Sequence, residues 1–212
     1  MFRDDDAFDY SIVNLTTLKD GMFHTEYETE VAASSQECNM VIDSMIYYLQ
    51  TDPEKLSENF FGGLGKQSDS NKNAFYLIWK QAEYKPEQKY GKLILDVLVN
   101  GVPFLKDVVV ESVVTDSITD NQRDIRVDIH YAGTLLKEAY GTFHIVPTGE
   151  NTTRIGMDVH VKFGWFFRIF ISRKVYSDTI DWRLVRFVNN LKLTAEGYQP
   201  NDTYWETLKV EE

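Results

Sequence analysis

Cysteine and long apolar runs are scarce in this 212-residue chain, and each shortage excludes a class of protein. Cys38 is the single cysteine, so an internal disulfide framework is excluded and a reducing compartment is expected. No segment approaches the roughly 20 apolar residues that a membrane-spanning helix needs. The first residues lack the basic start and apolar run of a secretory signal. We therefore expect a cytoplasmic protein without stable membrane insertion.

Basic residues are also in deficit, with 22 Lys and Arg against 33 Asp and Glu and a net charge of −11 at pH 7. Residues 1–60 hold 13 acidic and three basic residues, so nearly all of the excess charge lies there. Such a field repels phosphate groups, and nucleic acid is therefore not expected as a partner. A solvated acidic surface is the simpler interpretation of residues 1–60. A docking face for a basic protein partner is the alternative.

Motifs that specify a reaction are absent. Gly62–Lys66 invites comparison with a phosphate-binding loop, but Phe60 stands where that motif needs glycine and Gln67 where it needs Ser or Thr. A mobile loop is the better interpretation. There is no Gly-x-Ser-x-Gly turn, and the sequence places no histidine beside Cys38.

Histidines and carboxylates occur on successive predicted strands, a pattern that could indicate a metal site. His130, His144 and His160 are the histidines concerned, and Asp158 is among the nearby acids. Alternation argues against the metal, because it places His130 and His160 on the polar face, as it does His24. No metal or cofactor is therefore predicted.

Alternating apolar and polar residues, typical of half-buried strands, dominate the rest of the chain. The first strand is predicted at Phe23–Val31. A helix follows, capped by Ser34 or Ser35 and reaching Gln50, and a short second helix starts at Pro53. Six further strands are predicted, separated by turn signals, at Ala74–Glu83, Lys92–Val99, Asp107–Thr115, Asp124–Tyr131, Leu136–Val146 and Arg154–Phe163. Their short connections favour an antiparallel meander.

An amphipathic helix is predicted between Gly164 and Gly197, a stretch without internal Gly or Pro. Ser177 and Asp178 are the position where this helix could break and a second one could be capped. Its aromatic start, Trp165 to Phe167, is expected to pack against the sheet. Membrane contact aided by neighbouring basic residues is the alternative.

This order of elements resembles the START-like, or helix-grip, superfamily of polyketide cyclase/dehydrase and lipid-transport proteins. The resemblance covers about Phe23 to Gly197 and includes the ending Phe187–Glu196, which is similar to the closing helix of that superfamily. It implies an α+β helix-grip fold built on a seven-stranded antiparallel sheet. Two short helices come after the first strand, and a long C-terminal helix packs across the sheet. The implied organisation is an acidic extension at 1–22, a domain at 23–197 and a tail at 198–212.

The resemblance implies that an apolar or amphipathic small molecule, lipid-like or aromatic, binds between the sheet and the last helix. Arg173 and Tyr176 are predicted to hold its polar end, because they share helical spacing with apolar residues. The expected ligand-binding residues are Trp79, Phe143, Phe163, Phe170, Arg173, Tyr176 and Ile180. Binding is favoured over catalysis. The alternatives are a cyclase/dehydrase-type enzyme using the same pocket and a protein-interaction module using the acidic residues.

Overall fold

The computed structural model describes residues 14–52, 75–99, 102–120 and 122–198. Within these ranges eight strands form a single antiparallel sheet in the order β1-β2-β8-β7-β6-β5-β4-β3. The strands are β1 Thr17–Lys19, β2 Met22–Val31, β3 Phe75–Lys85, β4 Tyr90–Val99, β5 Val102–Thr119, β6 Gln122–Tyr131, β7 Leu136–Pro147 and β8 Thr153–Phe163. Strands β3 to β8 form the predicted meander, and β8 returns to pair with β2.

Three α-helices accompany the sheet in the described ranges: α1 Ser35–Thr51, α2 Trp165–Arg168 and α3 Arg173–Ala195. Ser34 caps α1 in a capping box, since its side chain accepts from the Glu37 N–H and the Glu37 carboxylate accepts from the Ser34 N–H. None of the helices that the structure describes is long and apolar enough to cross a membrane. The predicted short helix from Pro53 and the Gly62–Lys66 loop lie outside the described residues.

The sheet contains one strand more than the sequence predicted. Thr17–Lys19 pairs with the start of β2 through a tight turn at Asp20 and Gly21, which both have positive φ. A two-residue Asp-Gly connection is a strong hairpin signal, because both turn positions need the left-handed region. The sheet therefore begins before Phe23, the first residue of the predicted domain.

The helix predicted between Gly164 and Gly197 is divided, and the division precedes Arg173 rather than falling at Ser177 and Asp178, where the sequence also allowed a break. Helix α2 ends at Arg168, and α3 begins after Ser172, whose hydroxyl accepts from the Val175 N–H at 3.2 Å. Gly164 opens this segment because a Cβ there would lie only 2.2 Å from the Thr134 carbonyl oxygen. The chain thus leaves β8 through a close backbone contact and turns again before α3 starts.

A buried carboxylate connects α3 to the start of the sheet. Asp181, on α3, accepts from the backbone N–H groups of Leu15 and Thr16 and from the hydroxyls of Thr16 and Ser177. Thr16 also shares a hydrogen bond with Thr25 of β2 at 2.7 Å. Asp181, Thr16 and Thr25 are all fully or almost fully buried, so these donors and acceptors have no access to water.

We predict that Asp181→Ala lowers the free energy of unfolding by about 3 kcal/mol, because it leaves buried backbone and hydroxyl donors without an acceptor. Urea denaturation followed by circular dichroism measures the change. Asp178→Ala is the matched control, since Asp178 lies on the same helix in an exposed ion pair with Lys174. Asp178→Ala should lower the free energy of unfolding far less than Asp181→Ala does. Equal losses in the two variants would contradict a structural role for the buried carboxylate.

Candidate ligand-binding site

The inward face of the sheet, which packs against α1 and α3, carries the candidate site. Strand pairing places Met157 of β8 beside Tyr27 of β2 and Phe143 of β7. Val127 of β6 lies opposite Gly141 of β7 on the same face. This is the apolar alternation that the sequence predicted for these strands.

Two buried clusters occupy opposite ends of this face. The first joins α1, the sheet and the second half of α3, and it includes Val31, Cys38, Ile42, Phe143, Ile145, Ile155, Leu184, Val188 and Leu191. The second joins the start of α3 to the other end of the sheet, and it includes Phe23, Leu95, Val97, Val110, Phe163, Phe167 and Tyr176. Among the described residues, no buried residue is shared by the two clusters.

The apolar residues between the clusters are only partly buried. In β8 the two end residues Ile155 and Phe163 are buried, whereas Met157, Val159 and Val161 between them are half-buried. Strand β6 repeats the pattern, because Ile125, Val127 and Ile129 on its inward face are all half-buried. A fully packed interior would bury the middle of each strand most deeply. The centre of the inward face is therefore less completely buried than its two packed ends.

A small apolar recess that is too narrow to hold a water molecule lies within the first cluster. Its lining residues are Cys38, Val41, Ile42, Phe143, Ile155, Leu191 and Ala195. Cys38 is 3% exposed, and burial raises the pKa of its thiol to about 11. The thiol therefore behaves as a small apolar group at neutral pH.

Tyr176 is the most deeply buried aromatic residue of the second cluster, at 1% exposure. Its ring stacks on Phe23 at 4.4 Å and meets Phe163 edge-on at 6.1 Å. Its buried hydroxyl makes no hydrogen bond of normal geometry, although Thr25 is close by. Burial raises the pKa of Tyr176 well above its usual value, so the phenol stays neutral.

A buried arginine, Arg123, lies at the α1 end of the inward face and was missed from the sequence. Its guanidinium donates to both carboxylate oxygens of Asp116 at 2.9 and 2.7 Å and pairs with Asp43 of α1 at 2.8 Å. The bonds to Asp116 raise the pKa of Arg123. Burial, and then the charge of Asp116, raise the pKa of nearby Tyr84. The inward position of Arg123 could have been predicted from the sequence, because Arg123, Ile125 and Val127 occupy alternate positions of one strand.

The structure brings some of the predicted ligand-binding residues together and separates others. Phe163, Tyr176 and Ile180 meet in the second cluster, whereas Phe143 belongs to the first. The Trp79 side chain lies outside the described residues.

Arg173 contacts the N-terminal segment. It donates from Nε to the Thr16 carbonyl at 2.9 Å and from Nη2 to the Asn14 side chain at 3.2 Å. Both partners are protein groups that precede β2. Its predicted role at the polar end of a ligand stays a prediction.

Phe170 does not face inward, and the prediction that this aromatic segment packs in the core is wrong for most of its residues. Trp165 is 79% exposed and Phe170 63%, with Phe166 and Ile169 also exposed. Phe167 alone of this group enters the second cluster. The cause is the short length of α2. Because the chain turns after Arg168, the apolar stripe predicted along one continuous helix is divided between two helices.

The chemistry of the inward face is apolar, with a few paired or buried polar groups. Tyr84, Asp116, Arg123 and Tyr176 are ionisable groups on it, and Arg123 is already neutralised by two carboxylates. The outer face of the sheet carries the histidines, as predicted, because they alternate with the inward residues of their strands. They are His24, His130, His144 and His160. The described part of the inward face therefore offers an apolar surface, and it presents no histidine that could act as a base.

Solved structures share this architecture. The Zhui aromatase/cyclase from Streptomyces sp. R1128 matches with a TM-score of 0.51 and 14% identity, covering 82% of this chain and 94% of that one. A conserved protein from Geobacillus kaustophilus matches with a TM-score of 0.50 and 12% identity, covering 84% and 97%. The di-domain ARO/CYC StfQ from the steffimycin biosynthetic pathway matches with a TM-score of 0.50 and 14% identity, covering 84% and 52%.

These likenesses show the fold, and the START-like, helix-grip architecture predicted from the order of elements is confirmed. No family model and no curated protein matches the chain. At such low identity the shared fold does not transfer a ligand or a reaction.

We predict that Phe163→Ala destabilises the protein by about 3–5 kcal/mol, as expected when a buried phenylalanine leaves a cavity. Phe170→Ala should change stability by less than about 0.5 kcal/mol, because its ring is largely exposed. Guanidinium denaturation of both variants measures the difference. A large loss in Phe170→Ala would show that this ring is covered, contrary to the structure.

We also predict that Cys38 reacts slowly with 5,5′-dithiobis(2-nitrobenzoate) in the folded protein. With a pKa of about 11, roughly one thiol in a thousand is ionised at pH 8. The rate should rise with pH as the thiolate fraction grows, and labelling should be fast in about 6 M guanidinium, where the thiol is exposed. Rapid labelling of the native protein at pH 8 would contradict the buried position.

Proposed function

We propose that this protein binds an apolar or amphipathic small molecule, lipid-like or aromatic, against the centre of the inward face. The observation that carries the proposal is the half-buried middle of β6 and β8 between two buried clusters. Half-buried apolar surface is stabilised when an apolar ligand displaces water from it. The START-like fold supports this choice of region, since α3 packs on the same face of the sheet.

The proposed ligand lies between the clusters, with Phe143 at one end and Phe163, Tyr176 and Ile180 at the other. Tyr176 is the proposed polar contact, since its buried hydroxyl has no partner of normal geometry. A ligand that offered a carbonyl or hydroxyl there would satisfy that group. Arg173 is the weaker candidate, because Thr16 and Asn14 already accept its N–H groups.

A binding role is favoured over a cyclase/dehydrase-type reaction. General acid–base catalysis needs an ionisable group that is free to exchange a proton near the operating pH. Arg123 is held by Asp116 and Asp43, and the pKa of Tyr176 is raised far from neutrality. The described inward groups thus support holding a ligand better than moving its protons.

We propose the cytoplasm as the location, in keeping with a single buried thiol that forms no disulfide. A protein partner for the acidic residues 1–60 remains a separate proposal. Loss of that association at high salt would be its mark, because exposed charges are screened there.

We predict that Val127→Phe blocks ligand binding while leaving the protein folded. Val127 lies at the centre of the inward face opposite Gly141, so the larger ring would extend into the accessible space. Val113→Phe is the matched control, because Val113 is exposed and lies opposite Asp128 on the outer face. Binding of 1-anilinonaphthalene-8-sulfonate by fluorescence should weaken at least about tenfold in Val127→Phe and remain unchanged in Val113→Phe.

Three further measurements separate the possible outcomes. Phe170→Ser reports whether the dye binds to the exposed aromatic residues of α2 instead, since only then would this variant lose the signal. A packed interior would make Val127→Phe lose about 1–3 kcal/mol of stability through overpacking, and that result would sink the proposal. Native mass spectrometry of the protein isolated from its own cells should show a retained small molecule.

A further inference from the structure

Three potential metal ligands converge on the outer face, on the side of the sheet away from the proposed ligand. His24 of β2 and His160 of β8 lie directly opposite each other, and Asp158 lies two residues before His160 on the same face. The Asp158 Oδ1 atom is 3.1 Å from His24 Nε2 and 2.9 Å from His160 Nε2. Two imidazole nitrogens therefore lie within 3.1 Å of a single carboxylate oxygen.

The three groups are within ion-pair distance, but their geometry is not that of hydrogen bonds. His24 Nε2 and Asp158 Oδ1 are both shielded from water, and neither has a hydrogen-bond partner of normal geometry. Buried polar atoms usually have such a partner, so these two need another explanation. The side chains as a whole are only partly covered, with exposures of 21% for His160, 31% for Asp158 and 36% for His24. A small ion could therefore reach the shielded atoms from the solvent side.

The separations suit a shared metal ion. Ligand atoms held about 2.1 Å from one ion lie roughly 3.0 to 3.4 Å apart at octahedral or tetrahedral angles. The His24 Nε2–Asp158 Oδ1 distance of 3.1 Å lies within this range and the His160 Nε2–Asp158 Oδ1 distance of 2.9 Å just below it, and all three ligand atoms lie within 4.8 Å of one another. Two imidazoles and one carboxylate favour zinc or a similar transition metal over calcium or magnesium, which prefer oxygen ligands.

The surrounding side chains hold these ligands in position. The His24 and His160 rings are stacked at 4.3 Å, and Tyr140 stacks on the other side of His160 at 4.4 Å. The Arg126 guanidinium lies 4.6 Å from the Tyr140 ring. The two imidazole planes are within 6° of parallel, so a modest rotation about a Cβ–Cγ bond is needed for both nitrogens to face one ion.

We propose that His24, Asp158 and His160 form a binding site for a divalent transition-metal ion of the zinc type. Nε2 of each histidine and Oδ1 of Asp158 supply three ligands, and water completes the coordination. The site is carried by two paired strands, whose backbone fixes the spacing of the three side chains. It is separate from the proposed small-molecule site, because the sheet lies between them.

The test is titration of the tag-free, full-length protein with Zn²⁺ by calorimetry and with Co²⁺ by visible absorption. We expect one ion per chain and d–d bands of Co²⁺ that indicate nitrogen coordination. His160→Ala and the isosteric Asp158→Asn should each weaken Zn²⁺ binding at least about tenfold. Thermal melts of the metal-free variants establish that they are folded.

His144→Ala is the matched control, because His144 lies on the same outer face and pairs with Asp124 at 2.7 Å without a second histidine. It should leave the affinity for Zn²⁺ unchanged. The proposal is overturned if the wild-type protein binds no stoichiometric ion, or if His160→Ala and His144→Ala have equal effects. Metal binding can also be measured by thermal melting, without an activity assay. Bound Zn²⁺ should raise the melting temperature of the wild type but not that of Asp158→Asn.

Discussion

The buried carboxylate of Asp181 is the contact on which the position of α3 depends. It gathers the N–H groups of Leu15 and Thr16 and the hydroxyl of Thr16 at one point on the helix. Because these donors belong to the segment before β1, the helix is held at the edge of the sheet as well as by apolar packing. Removing an acceptor of buried backbone N–H groups is costly. These hydrogen bonds are also directional, whereas apolar contacts are not.

Much of the fold could be predicted from alternation, and the failures have physical causes. The predicted stripe that joined Arg173, Tyr176 and Ile180 to Phe166, Ile169 and Phe170 holds only within α3, and the N-terminal segment that Arg173 contacts was not foreseen. The N-terminal segment has little apolar periodicity, so no pattern in it indicated a position beside α3. The hairpin at Asp20 and Gly21 could have been recognised, since its residues are those that a tight turn requires.

The break before α3 was harder to foresee, because no glycine or proline marks it. Ser172 competes for the role of cap with the later Ser177, and both are small hydroxyl residues followed by helix-forming sequence. The structure selects Ser172, since that choice puts Phe167 in the second cluster and Tyr176 against Phe23. Packing therefore decides between two local signals that are nearly equivalent, and sequence alone does not contain that information.

Both proposed sites depend on the same register between β2 and β8. Residues with the parity of Val159 face the apolar interior, while His160 and Asp158 face outward. A slip of one residue would exchange the faces, bringing imidazoles into the interior and valines into water. The buried packing of Phe23 and Ile155 at the ends of these strands opposes such a slip, because it would expose both. The apolar packing that shapes the inward face therefore also fixes the spacing of the three polar ligands behind it.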